Sequence, residues 1–161
     1  MKNISTRRTL TRITAGGLGV AAAAVIGFGV AGAANAGTVP VTHPGEPSIA
    51  MTITNSTGQT EYLSGNGSSS GGWVNAPKDT LAPGETETVV AVAGNQNFLE
   101  TDAEYQIGAT GPIATYRVVD SQIDGASTFG TGVNGNGSTN YALSSGVQSA
   151  FPNANVTFTL Q

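Results

Sequence analysis

The stretch "LETDAEYQIG" sets three carboxylates, Glu100, Asp102 and Glu104, at alternate positions, and "VVDSQIDG" adds Asp120 and Asp124. Carboxylates are the one catalytic or metal-binding side chain this chain carries in quantity. A close pair could act as acid and base in a hydrolase. As hard oxygen donors the same groups could hold calcium, from "ETDAE" or from "DSQIDG", although the second lacks the spacing of an EF-hand loop. The calcium candidates are therefore Glu100, Asp102 and Glu104. No spacing singles out an acid pair, and alternation also describes the wet face of a strand, where charge discourages edge-to-edge pairing.

Other chemistries fail for want of residues. The chain has no cysteine, which removes thiol nucleophiles, disulfides and thiolate metal sites. Its one histidine, His43, lies in the proline-rich "GTVPVTHPGEP", whereas a Ser-His-acid triad needs a histidine held on a rigid scaffold. His43 reads as a solvated linker residue. A non-catalytic protein that needs no cofactor is expected.

What remains is aromatic. Tyr62, Trp73, Tyr105, Tyr116 and Tyr141 are amphipathic rings of the kind that stack on sugars or sit at the lipid headgroup level. Trp73, the only tryptophan, follows the glycine-serine run of "GNGSSSGGWVNAP". It is either an exposed anchor at the end of a mobile loop or the first residue of a strand that reaches the core. Val74 and Pro77 favour the strand. Trp73, Tyr62 and Tyr141 are the ligand-binding candidates.

Residues 1–36 read as an export signal and stand apart from the fold. Lys2, Arg7, Arg8 and Arg12 form a basic start, an uncharged Gly/Ala-rich stretch runs to Ala34, and Ala34-Asn35-Ala36 suits a signal peptidase cutting before Gly37. "TRRTLTR" resembles a twin-arginine motif, with general secretion as the alternative route. A retained anchor is disfavoured by the glycine-diluted hydrophobicity. A secreted, extracellular bacterial protein is expected.

Beyond the signal, Lys78 and Arg117 face ten acids, a net charge of −8. So few cations cannot drive binding to phosphates by counterion release, which excludes nucleic acid, nor dock the chain on anionic lipid by charge alone. Membrane lipid, an extracellular protein or a glycan remain as partners, and the sequence leaves the oligomeric state open. Residues 37–47 form a Pro-rich tether, and residues 48–161 are long enough for one core without disulfides.

Period-two alternation carries the rest. "SIAMTITN" pairs apolar Ile49, Met51 and Ile53 with Ala50, Thr52 and Thr54, the mark of a half-buried strand. "TEYL" is a short extended segment before the glycine-serine loop. Thr86 to Ala93, "IATYRVVD" and "NVTFTLQ" are further strands, and residues 125–146 hold one or two irregular strands with long loops. No segment shows a sustained helical stripe. The expected fold is all-β, an antiparallel β-sandwich, with a small β-barrel as runner-up.

The ordered segments "ITNSTG", "GGW", "LAPGET", "IATYRV" and "VTFTL" together resemble the aegerolysin-like group of small acidic secreted β-sandwiches, related in architecture to the actinoporin cytolysins. That resemblance implies lipid recognition by loop aromatics, in some members alongside a pore-forming partner. The alternative is a secreted immunoglobulin-like binding or surface-interaction module. A carboxylate-based hydrolase is third.

Overall fold

The computed structural model describes residues 46–94 and 97–161. The export signal of residues 1–36, residues 37–45 of the tether and His43 lie outside the described residues. Pro47, at the tether's end, is already fixed: its carbonyl accepts the Ala93 N–H at 2.9 Å.

The strands follow the alternation in the sequence. They are β1 (Ser48–Asn55), β2 (Glu61–Ser69), β3 (Gly72–Asn75), β4 (Thr80–Leu81), β5 (Thr86–Val92), β6 (Phe98–Ile107), β7 (Ile113–Ser121), β8 (Gly125–Ser127), β9 (Gly132–Asn134), β10 (Leu143–Ser149) and β11 (Asn153–Leu160). A single 3-10 turn, Ser138–Asn140, is the only helical element among the described residues. Sheet one runs in the order β10-β11-β1-β5-β3; sheet two runs β4-β2-β6-β7, with β8 and β9 both on the far side of β7. The two sheets face each other as a sandwich and do not close into a barrel. One pairing departs from the antiparallel expectation, since β1 and β11 lie parallel, Ser48 beside Asn153 through Asn55 beside Leu160.

Inward residues of β6, β7 and β11 alternate strictly with partly exposed ones, which is what a face packed on one side requires. β1 was expected to be half-buried, yet Ser48, Ala50 and Thr52 are buried as well. It lies in the middle of its sheet between β5 and β11, and on its outer side Thr52 and Thr54 meet Thr88 and Thr86 hydroxyl to hydroxyl at 3.1 and 3.0 Å.

The glycine-serine run is the main correction. Gly65 to Ser69 is no loop: it continues β2 and pairs with β6 from Gly65 beside Glu104 to Ser69 beside Glu100. The reason is steric. A Cβ at Gly67 would stand 2.9 Å from Asp102 Oδ1, and one at Gly65 3.2 Å from Glu104 Oε2, so these glycines make room for the carboxylates of the next strand. The chain turns only at Ser70, whose φ is +64°. Trp73 then enters β3 beside Ala91, half-buried against the core.

Among the described residues three acids are buried, and two of them, Glu61 and Glu87, meet tyrosines inside the core. Glu61 is fully enclosed, and the Tyr116 hydroxyl donates to its Oε2 at 2.6 Å. Glu87, nearly as buried, accepts the Tyr105 hydroxyl at 2.5 Å on Oε1 and the Lys78 N–H at 3.1 Å on Oε2. The rings continue the contact as edge-to-face pairs, Tyr105 to Tyr116 at 6.1 Å between centroids and Tyr116 to Phe158 at 5.6 Å. Glu61 Oε1 has no hydrogen-bond partner. Burial pushes the Glu61 carboxyl up from 4.5 to about 7, with the nearby Glu87 charge adding to the rise and the Tyr116 hydrogen bond opposing it.

Two outcomes follow from this packing. Because folding raises the Glu61 carboxyl, the folded state keeps a proton that the unfolded chain has released between pH 4.5 and about 7. Stability is therefore full below that window and falls through it, by about 3 kcal/mol at roughly 1.4 kcal/mol per pH unit. Denaturant midpoints at pH 4.5 and 8 measure this, and Glu61→Gln should remove most of the difference; Asp120, also raised by burial, leaves a residual slope of the same sign. Trp73→Ala should cost about 2 kcal/mol, less than a fully buried ring, because one side of the indole already faces water. Acrylamide should quench the Trp73 fluorescence only in part.

Candidate functional site

The surface that departs most from an ordinary strand edge is the flank where the two sheets end in β8 and β10. β8 pairs with β7 over Val119–Ser121, and β9 pairs with the same edge over Ile113–Thr115. Between them residues 128–131 leave the ladder. The Thr131 hydroxyl fills the gap, accepting the Arg117 N–H and donating to the Arg117 carbonyl, each at 3.0 Å. Gly130, at φ +90°, passes so close that a Cβ there would lie 3.2 Å from Arg117 Cδ. The excursion turns Phe129 outward, 85% exposed. At the other end of β8, the Ser121 hydroxyl accepts the Asp124 N–H at 2.9 Å and closes a tight turn whose tip, Ile123, is 92% exposed.

β10 of sheet one runs alongside. The Thr128 and Ser145 hydroxyls meet at 3.0 Å, and a Cβ at Gly125 would lie 3.6 Å from that of Ala150. Between these two contacts sits Val147, 46% exposed although its cross-strand neighbour Val156 is buried. β8 is only three residues long.

Charge divides the molecule the same way. All ten acids lie between Glu46 and Asp124, and from Gly125 to Gln161 the chain holds no Asp, Glu, Lys, Arg or His. β8, β9, β10 and β11 are built wholly from that uncharged part. The nearest cation is Arg117 beneath Gly130, and it is paired with Glu100 at 2.6 Å.

The acids named from the sequence lie elsewhere. Glu100, Asp102 and Glu104 do share the outer face of sheet two, at the strand repeat of about 7 Å for alternate residues. They do not converge: among the described residues no group of three or more His, Cys, Asp or Glu could hold a metal ion. Asp120 is buried and accepts the Phe151 N–H at 3.0 Å, while Asp124 belongs to the Ser121 turn. The acids that lie closest in chemical terms, Glu61 and Glu87, are enclosed and each bonded to a tyrosine. Strand parity could have found them, since Glu87 shares its side of β5 with Val89 and Ala91.

The aromatic candidates are not assembled either. Tyr62 sits on β2 beside Gln106, 43% exposed. Trp73 lies on the β3 edge of the other sheet, and Tyr141, between the 3-10 turn and β10, packs against the core. Tyr105 and Tyr116, grouped with them in the sequence as surface rings, are fully buried because their hydroxyls find Glu87 and Glu61 inside. Sequence reasoning passed over Ile123 and Phe129. Their signal was present in "SQIDG" and "STFGTG", where one large apolar residue stands among turn formers with no apolar neighbour two positions away.

No family model matches the chain, and no curated protein does. Among solved structures, the fold is similar to the crystal structure of the lipid binding protein Nakanori, with 8% sequence identity, a TM-score of 0.41 and 71% of each chain covered.

Proposed function

We propose that the domain is a secreted, non-catalytic binding module that docks its uncharged flank on a neutral lipid surface, with Phe129 and Ile123 as the inserting side chains. The observation that carries this reading is the near-complete exposure of both residues at the two ends of one short edge strand, with Asp124 beside Ile123 at the border of a stretch that is uncharged from Gly125 onward. Leaving a Phe and an Ile in water forgoes about 2 kcal/mol each relative to burial, a cost that a surface partner would recover. An acidic chain is repelled by anionic lipid, so the approach favours zwitterionic headgroups, and the stretch from Gly125 onward, which holds no ions, incurs no charge desolvation, while the exposed Asp124 beside Ile123 stays at the level of the headgroups. Two side chains make a weak and reversible attachment. The absence of catalysis rests on the acids, which are apart on the sheet face or closed off in the core.

Co-sedimentation with vesicles separates the outcomes. The mature protein should pellet with phosphatidylcholine vesicles and less when phosphatidylserine replaces part of the lipid. The double variant Ile123→Ser, Phe129→Ser should lose binding at an unchanged melting temperature, since neither side chain is packed. Binding that survives the double substitution, or that needs anionic lipid, would sink the proposal.

A further inference from the structure

The sandwich has four strand edges, and three are blunted. β4 is two residues long, β3 is four with a register shift between Trp73 and Asn75, and the β8/β9 edge is interrupted at residues 128–131. Short, bulged or broken edges are how sheet proteins avoid pairing with other chains. β10 has none of these protections over its first five residues: Leu143 to Val147 pairs regularly with β11, carries no charge and no proline, and is largely exposed.

The direction of its free backbone groups follows from the ladder. Ala142 and Gln161 exchange two backbone hydrogen bonds, at 2.8 and 2.9 Å. In an antiparallel pair such exchanges fall on alternate residues, so Ser144 and Gly146 turn their N–H and C=O groups toward β11, whereas Leu143, Ser145 and Val147 turn theirs toward the open edge. An incoming strand must present its own groups at the same spacing. Read in reverse, these three positions are Val147, Ser145 and Leu143: the strand is complementary to itself.

We propose that the free edge of β10 pairs antiparallel with β10 of a second copy of this chain, Ser145 opposite Ser145 and Leu143 opposite Val147 across a two-fold axis. Each of these opposed pairs would exchange two backbone hydrogen bonds, joining sheet one of both copies into one continuous sheet. Leu143 and Val147 lie on the core-facing side of β10, beside Leu160 and Val156, so pairing supplies the cover that Val147 lacks within one copy. Charge selects the partner. Two copies of a chain with net charge −8 beyond its export signal repel at most orientations, and the region from Gly125 to Gln161 is where they meet without opposing like charges. The inference goes beyond the lipid reading, because it uses the backbone edge of sheet one, while Ile123 and Phe129 belong to the edge of sheet two.

Sedimentation velocity on the mature protein without lipid is the test, over about 5 to 200 µM so that mass action reveals a weak dimer. The expected result is a shift toward twice the monomer mass as concentration rises. Ser145→Lys, which sets two ammonium groups on the axis, should hold the protein monomeric, while Val74→Lys on the β3 edge and the double Ile123→Ser, Phe129→Ser variant should still dimerise. If Ser145→Lys disturbs folding, amide exchange in the unaltered protein decides instead: Ser145 and Val147 should exchange more slowly at high concentration than at low, with Ser144 and Gly146 unaffected. A monomer at every concentration, a dimer that persists in Ser145→Lys with native stability, or concentration-independent exchange overturns the proposal.

Discussion

The hydrogen bond from the Tyr105 hydroxyl to Glu87, 2.5 Å long, is the polar contact on which the closure of this sandwich depends. It runs from β6 of one sheet to β5 of the other, through a largely apolar core that it shares with the Tyr116–Glu61 hydrogen bond. The same tyrosine oxygen lies 2.9 Å from the Lys78 carbonyl, and Glu87 also takes the Lys78 N–H, so the segment leading into β4 is gathered at the same point. In a chain without disulfides, such a link fixes the sheets in one mutual position, because sliding either would strand a buried carboxylate. The arrangement has a consequence next door. Burial, and to a smaller extent the nearby Glu87 charge, raises the Glu61 carboxyl, so the core favours it as the neutral acid.

The opposite end of the energetic scale is the β8–β10 flank. β8 and β9 are short pieces held to β7, and in the loop joining them the Thr131 hydroxyl stands in for a ladder bond while the Thr128 hydroxyl meets Ser145 of β10. Few apolar side chains pin this edge, and two of its largest point outward. Regions of low local stability are where binding surfaces are commonly built, since a partner can then supply the missing contacts. The division of charge reinforces this: the acidic part of the chain builds most of sheet two and keeps that side hydrated, while the uncharged part builds the flank.

How much of this could be read beforehand varies by element for physical reasons. β6, β7 and β11 were legible because one face is buried and the other partly wet, which writes a period of two into the residues, and β1 because its two faces differ in polarity although both are covered. The second half of β2 was not, because Gly65 and Gly67 are selected by the carboxylates of β6 that lean over them, a cross-strand constraint with no local signature. The parallel pairing of β1 with β11 joins residues about a hundred positions apart and follows from no turn. The parity of "LETDAEYQIG" places Tyr105 with Ala103 and Ile107 on the buried face, where it lies, but a hydroxyl usually marks a wet residue, so Tyr105 and Tyr116 also counted among the amphipathic rings; only the inward parity of Glu61 and Glu87 could have supplied them with buried acceptors. Ile123 and Phe129 were missed for the converse reason, since a large apolar residue is ordinarily assigned to the core.

The glycines connect the core to the flank. Gly65 and Gly67 let β6 keep its carboxylates on the outer face of sheet two, and Gly130 lets the chain cross Arg117 closely enough for Thr131 to bond its backbone. Arg117 is in turn neutralised by Glu100 of β6. Without the close crossing at Gly130 the loop would ride higher, Thr131 would lose both bonds, and Phe129 would no longer be held at a fixed place on the edge. The backbone bonds fix where Phe129 leaves the edge, while its exposed ring keeps rotamer freedom that contact with a surface would order. The exposed phenylalanine is thus positioned by an ion pair on the acidic face, and the two halves of the molecule, so unlike in charge, are coupled through the single cation they share.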